Sequence, residues 1–205
     1  HAGPFAGLRL PPLPAPRLGP LLAGTHEHEL HGVINDLVQR APGTLACVGA
    51  AEGYYALGLA RRLPGARVVA FESDDTRRAR LALGAERNGV ADRVEVRGHA
   101  TLASLPARLD ALVSDCEGAE LWLLRPERAP ALRRAAVLVE AHDFLFSGVT
   151  DILVRRFSPT HDIARIAAST PPHPPLPGLE PEAVRRLVAE PRPKKMTWLW
   201  MRPRE

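Results

Sequence analysis

The stretch TLACVGAAEGYYALGLARRLPGARVVAFE, from Thr44 to Glu72, decides the fold. Residues 45–48 are a short apolar run that ends on a glycine, the pattern of a buried strand. Gly49-Ala-Ala-Glu-Gly53 is a loop of small residues. Residues 54–63 have helical spacing, with Tyr55, Leu57, Leu59 and Leu63 sharing much of one face. Pro64-Gly65 stops that helix. Residues 67–71 are a second, β-branched strand, and it ends on the carboxylate of Glu72. Strand, glycine turn, helix, strand and acid make a βαβ nucleotide-binding unit. Gly49 and Gly53 let the backbone approach a ligand, and the helix N-terminus presents free N–H groups. Glu72 lies about 20 residues past the turn, where an acid can accept from ribose hydroxyls. A small residue at the turn is also what any parallel βαβ unit needs, so the acid carries the reading.

The turn distinguishes two ligands. A dinucleotide site favours Gly-x-Gly-x-x-Gly with pyrophosphate on the helix. Here the middle of the loop is Ala50-Ala51-Glu52, and Glu52 would repel a pyrophosphate but tolerate a sulfonium or an amino group. That points to S-adenosylmethionine rather than NAD.

The composition fits one 205-residue domain with a full core. The net charge of +4 comes from scattered arginines, and Lys194 and Lys195 are the only lysines. With no basic run and 5% aromatics there is no interleaved stacking face, so no nucleic-acid partner is expected. No apolar run has transmembrane length, and the Pro-rich start is not a signal peptide, so no membrane is expected. Cys47 and Cys116 read as free thiols, which suits a cytoplasmic location.

Taken in order, residues 1–24 are a proline-rich arm, expected to be neither helix nor strand. Thr25 is placed to cap a helix over 26–40. That helix opens His26-Glu-His-Glu-Leu-His31, which fails the zinc spacing His-Glu-x-x-His and reads as a solvated face. Asp74 and Asp75 cap a helix over 76–88, closed by Asn88-Gly89. A strand over 93–97 leads into Gly98-His99-Ala100, and His99 is either an adenine-edge contact or a surface loop residue. The strand over 109–114 ends Asp115-Cys-Glu-Gly-Ala-Glu120. Glu120 is explained by the acid preference of a helix's first turn; Asp115 and Glu117 precede the glycine and point to a cleft. The strand over 136–139 ends Glu140-Ala-His142, and the two-residue spacing puts Glu140 and His142 on one side. Residues 163–166 are a sixth strand, 170–181 are irregular, 182–189 a helix, and 196–201 a last strand expected to pair antiparallel.

These elements together, above all Asp115-x-Glu-Gly-x-Glu120 followed by Glu140-x-His142, resemble the FkbM-type S-adenosylmethionine-dependent methyltransferases. The likeness covers about residues 44–166. It implies an α/β, Rossmann-like, doubly wound seven-stranded sheet, mostly parallel with an antiparallel last strand. The domain plan is an arm (1–24) and one methyltransferase domain (25–205). Within that domain lie a leading helix (25–43), a cofactor core (44–169), a lid-like Pro-rich insertion (170–195) and the last strand (196–202). The implied binding set is Gly49, Ala50, Ala51, Glu52 and Gly53 around the methionine moiety, Glu72 and Ser73 at the ribose, His99 and Ala100 near the adenine, and Asp115 and Glu117. The family usually carries an acid two residues before the first glycine. Cys47 stands there, leaving Glu52 or Asp115 to meet the amino group.

The activity this implies is methyl transfer to a hydroxyl of a small molecule or sugar, with His142 as general base and Asp115 and Glu140 orienting it. A magnesium or manganese ion on the same three residues is a second, less favoured arrangement. The alternatives are an NAD-dependent oxidoreductase, against which the missing middle glycine and the Trp198/Trp200 strand count, and a non-catalytic adenosyl-binding protein.

Overall fold

The computed structural model describes residues 3–11, 13, 15–190 and 196–204. Pro12, Pro14, Lys194 and Lys195, singled out in the sequence, lie outside the described residues. Seven strands form one sheet in the order β3-β2-β1-β4-β5-β7-β6. They are β1 (Thr44–Val48), β2 (Arg67–Phe71), β3 (Val94–Arg97), β4 (Ala111–Ser114), β5 (Ala136–Ala141), β6 (His161–Ala167) and β7 (Thr197–Pro203). The first five are parallel, and β7 inserts antiparallel between β5 and β6. This is the α/β doubly wound sheet with an antiparallel last strand that the sequence implied.

Because strand side chains alternate, each strand feeds two cores. Leu45, Cys47, Val68, Ala70, Val113, Leu138 and Trp198 face one side. There they meet α2 (His31–Gln39), α3 (Tyr54–Arg62) and α4 (Asp75–Arg87) through Ile34, Leu37, Leu57, Leu59 and Leu81. Ala46, Val48, Val69, Phe71, Leu112, Val137 and Leu199 face the other side. There they meet α5 (Glu120–Leu123) and α6 (Val149–Phe157) through Leu123, Val149, Leu153 and Phe157. The chain reverses its direction of winding between β1 and β4, so their carboxyl ends open a crevice where ligands bind in such sheets. Asp74 caps α4 by accepting from the Arg77 amide at 2.8 Å.

Two expectations fail at the N-terminus. The arm contains a helix, α1 (Ala15–Ala23), with Pro20 inside it. A proline costs a helix one N–H bond, and here tertiary packing outweighs that. Leu21 is buried, and α1 lies against α7 (Pro181–Val188). Gly19 makes the approach possible, since a Cβ there would sit 2.1 Å from the Leu187 carbonyl oxygen. The helix expected over 26–40 is broken: a 3-10 turn, His28–Leu30, precedes α2. Its N-cap, Glu27, is left-handed at φ 45°, and the hydroxyl of Thr25 caps nothing.

Candidate active site

One cavity of about 620 Å³ runs along the carboxyl ends of β2, β1, β4 and β5. It is within the usual size range of ligand pockets. Gly49, Ala50, Ala51, Glu52, Glu72, Ser73, His99, Ala100, Asp115, Glu117 and Glu140 all line it. Gly53 and His142 do not: Gly53 packs against Leu57 and Leu81, and His142 is fully buried behind the wall. Residues of α1, with His26, Glu27, Tyr54 and Tyr55, close the cavity from one side.

The β1–α3 turn is pinned to both neighbouring strands. The amides of Gly49 and Ala50 donate to the Phe71 carbonyl at 3.0 and 2.9 Å. Gly49 has φ +74°, and a Cβ on it would sit 1.7 Å from the Asp115 carbonyl oxygen. Only glycine lets this turn and the β4 loop approach so closely. Glu72, 6% exposed, accepts from the Ala51 amide at 2.8 Å through Oε2 and from the Asp74 amide at 2.9 Å through Oε1. Each oxygen keeps a lone pair for a ligand hydroxyl.

At the other end, the β4 and β5 loops bring four acids around one histidine. Glu117 (φ 52°) and Gly118 (φ 97°) make a left-handed turn after β4. His142 Nδ1 donates to Glu120 Oε1 at 3.1 Å, and the His142 amide donates to the same oxygen at 2.9 Å. Glu120 Oε2 accepts from the Gly118 amide at 2.9 Å. Glu120 is therefore a buried, bonded carboxylate that fixes the ring; burial would raise its pKa, but the hydrogen bonds from the His142 ring and amide hold it below the usual range. On the far side, His142 Nε2 faces Asp115 Oδ1 at 3.4 Å, Glu140 Oε2 at 3.5 Å and Glu117 Oε2 at 3.6 Å.

The charges follow from these contacts. Burial disfavours the charged form of His142, but the carboxylates of Asp115 and Glu120 on either side of its ring outweigh it and push its pKa up to about 10. Burial, then the neighbouring Asp115 charge, pushes Glu140 up to about 9. Asp115 turns Oδ1 away from solvent, which would raise its pKa, yet the neighbouring His142 and Glu140 hold it down. At neutral pH the histidine is charged, Asp115 is ionised and Glu140 carries a proton, the usual result when two carboxyls share one site.

Asp115, Glu140 and His142 each offer one ligand atom, and these atoms lie within 4.8 Å of one another. Asp115 Oδ1 and His142 Nε2 have no hydrogen-bond partner of good geometry. Among the described residues this is the one cluster with metal-ligand spacing. His26, His28 and His31 do not converge: His31 Nε2 lies 3.1 Å from the His26 carbonyl oxygen, and His28 Nε2 lies 3.0 Å from Ser169 Oγ.

Some of this was not visible in the chain. Glu120 was explained by helix capping, and only the distance to a histidine 22 residues later shows its other role. Arg17 reaches the turn from α1, donating to Glu52 at 3.0 and 3.4 Å. Glu27 accepts from the Tyr55 hydroxyl, and its amide donates to Glu190 at 2.8 Å. Arg17 and Glu190 lie in segments whose composition suggested no structure. Cys47 and Cys116 are free, and burial pushes each up to about 12, so neither is a reactive thiol. No helix among the described residues is long and apolar enough to cross a membrane.

No protein-family model matches the sequence, and no curated protein matches it. The fold, by contrast, matches many solved structures. One is an O-methyltransferase from Bacillus cereus in complex with SAH, with TM-score 0.55, 16% identity, and 97% of this chain and 84% of that chain covered. Another is the O-methyltransferase TomG from Streptomyces achromogenes, in complex with SAM, at TM-score 0.55 and 16% identity, covering 97% and 94%. A precorrin-6y C5,15-methyltransferase from Geobacter metallireducens aligns at TM-score 0.52 and 13% identity, covering 83% and 87%. At these identities the likeness is one of architecture, and the chain has the fold of the class I methyltransferases.

Proposed function

We propose that this protein is an S-adenosylmethionine-dependent methyltransferase of the FkbM type, acting on a hydroxyl of a small molecule or sugar. The observation that carries the reading is one continuous cavity with Glu72 at one end and Asp115 and Glu140 at the other. A nucleoside anchor and a proton-handling cluster thus share a chamber of cofactor size. The solved structures of like fold named for O-methyl transfer support the same reading.

In this reading Glu72 and Ser73 hold the ribose, His99 and Ala100 lie at the base, and residues 49–53 run beside the methionine moiety, with Asp115 and Glu117 at its reactive end. Bound S-adenosylmethionine supplies an electrophilic methyl on a sulfonium. The chain's own work is to align the acceptor and take its proton. The charged, buried His142 is a poor base as it stands. Asp115, whose side chain is 40% exposed on the cavity wall, meets the hydroxyl, with His142 beneath it as charge partner and Glu140 beside it. Burial of the dyad and the approach of a sulfonium favour proton release from the acceptor at this wall. In this reading the arm and the Pro-rich insertion are walls or lids for the acceptor, and Arg17, Leu21 and Glu190 from them line the cavity.

A second arrangement is favoured by the donor geometry. Asp115, Glu140 and His142 fit a magnesium or manganese ion, which would replace the two protons they hold and lower the pKa of a bound hydroxyl. The cofactor reading is tested by thermal unfolding. S-adenosylhomocysteine at about 100 times its Kd should stabilise the protein by about 2.7 kcal/mol, and NAD should not. Stabilisation by NAD alone would reverse the assignment.

A further inference from the structure

Resting on that cofactor reading, we propose that Arg17 and Glu52 form a clamp for the α-amino acid end of the cofactor: Arg17 takes its carboxylate and Glu52 its ammonium. Glu52 sits one residue before the N-cap of α3, on the cavity wall, and is 5% exposed. The guanidinium of Arg17 is on the same wall and half exposed. It donates to both oxygens of Glu52, and its remaining N–H groups are available to a second carboxylate.

Charge makes the assignment specific. The carboxylate of an amino acid must lie against a wall that also carries Glu27, Glu52, Asp115 and Glu117. Among the described residues two arginines line the cavity, and the other, Arg77, lies in the first turns of α4, past Glu72 at the nucleoside end. Among the described residues Arg17 is the arginine that reaches the glycine turn. Two residues before Gly49 the chain carries Cys47, a buried thiol with its pKa raised to about 12, and so neutral. Glu52 supplies the negative charge at this turn. In the free protein the two side chains neutralise each other, so Glu52 is not an unpaired buried charge. A zwitterion can join the pair with no change in net charge. The cation comes from α1, so the arm belongs to the cofactor site as well as to the lid.

The test compares two nucleosides by calorimetry. S-adenosylhomocysteine has the amino acid end; 5′-methylthioadenosine lacks both its charges. In Arg17→Ala the Kd of S-adenosylhomocysteine should rise about tenfold or more, the cost of a lost charged hydrogen bond, while that of methylthioadenosine changes less than about twofold. The double variant R17A/E52Q, which leaves no unpaired buried carboxylate, should show the same selective loss. Equal weakening of both nucleosides, or no weakening of either, would overturn the clamp. Failure of the unmutated protein to bind either nucleoside would instead overturn the cofactor reading beneath it.

Discussion

Glu72 and Glu140 are both carboxylates at the mouth of the same sheet, and burial does not distinguish them: 6% and 7% exposed. Their partners do. Glu72 accepts two backbone amides, from Ala51 and Asp74, and is set as a fixed acceptor. Burial, then the facing Asp115 charge with Glu27 nearby, pushes Glu140 up to about 9, so it holds a proton. One end of the cavity presents a carboxylate held by backbone amides, the other a carboxylate that holds a proton. Strand ends offer both, and the difference comes from the loops that deliver the second charge.

The contrast breaks most visibly at the proton-holding end. His142→Asn keeps an N–H for Glu120 but removes Nε2. It should lower methyl transfer to a hydroxyl acceptor by about 100-fold or more and leave S-adenosylhomocysteine affinity unchanged. In the proton version EDTA has no effect. In the cation version EDTA abolishes turnover, and magnesium or manganese restores it. Full activity in the variant, with no effect of chelator, would leave positioning alone as the mechanism.

A smaller effect sharpens the same lesson with two histidines. His142, among acids, is pushed up to about 10. His161 is equally buried but lies against the Ala135 carbonyl, at 2.9 Å from Nε2, with Thr160 Oγ1 2.8 Å from Nδ1. The carbonyl can only accept, so Nε2 carries the proton, and Nδ1 lies beside the Thr160 hydroxyl. Burial is the main cause that lowers the His161 pKa below its ordinary 6.5. The unfolded chain then binds a proton that the folded one refuses, so this contribution to stability is full above pH 6.5 and is lost as pH falls below it. The melting temperature should drop from about pH 7 to about pH 5 more steeply in the unmutated protein than in His161→Gln. Equal slopes would remove His161 from the account.

The sheet was legible because its signals are local. Alternation, the Gly49–Gly53 turn, the Asp74 cap and Pro181 at the first turn of α7 each act within a few residues. The cluster of Asp115, Glu140 and His142 was legible for a related reason: a strand's carboxyl end is readable, and neighbouring strands in a doubly wound order bring two such ends together. What escaped depends on contacts distant in sequence. Prolines argued against a helix at α1, and only packing against α7, through Gly19 and Leu187, makes one. Glu120 reads as a helix-capping acid until β5 brings His142 to it.

The central claim is that Glu72 anchors an adenosyl cofactor, and calorimetry with S-adenosylhomocysteine tests it most directly. Glu72→Ala should weaken binding by about 1–3 kcal/mol, the cost of charged hydrogen bonds to two ribose hydroxyls, with the fold retained by circular dichroism. Unchanged affinity in a folded Glu72→Ala protein would contradict the claim.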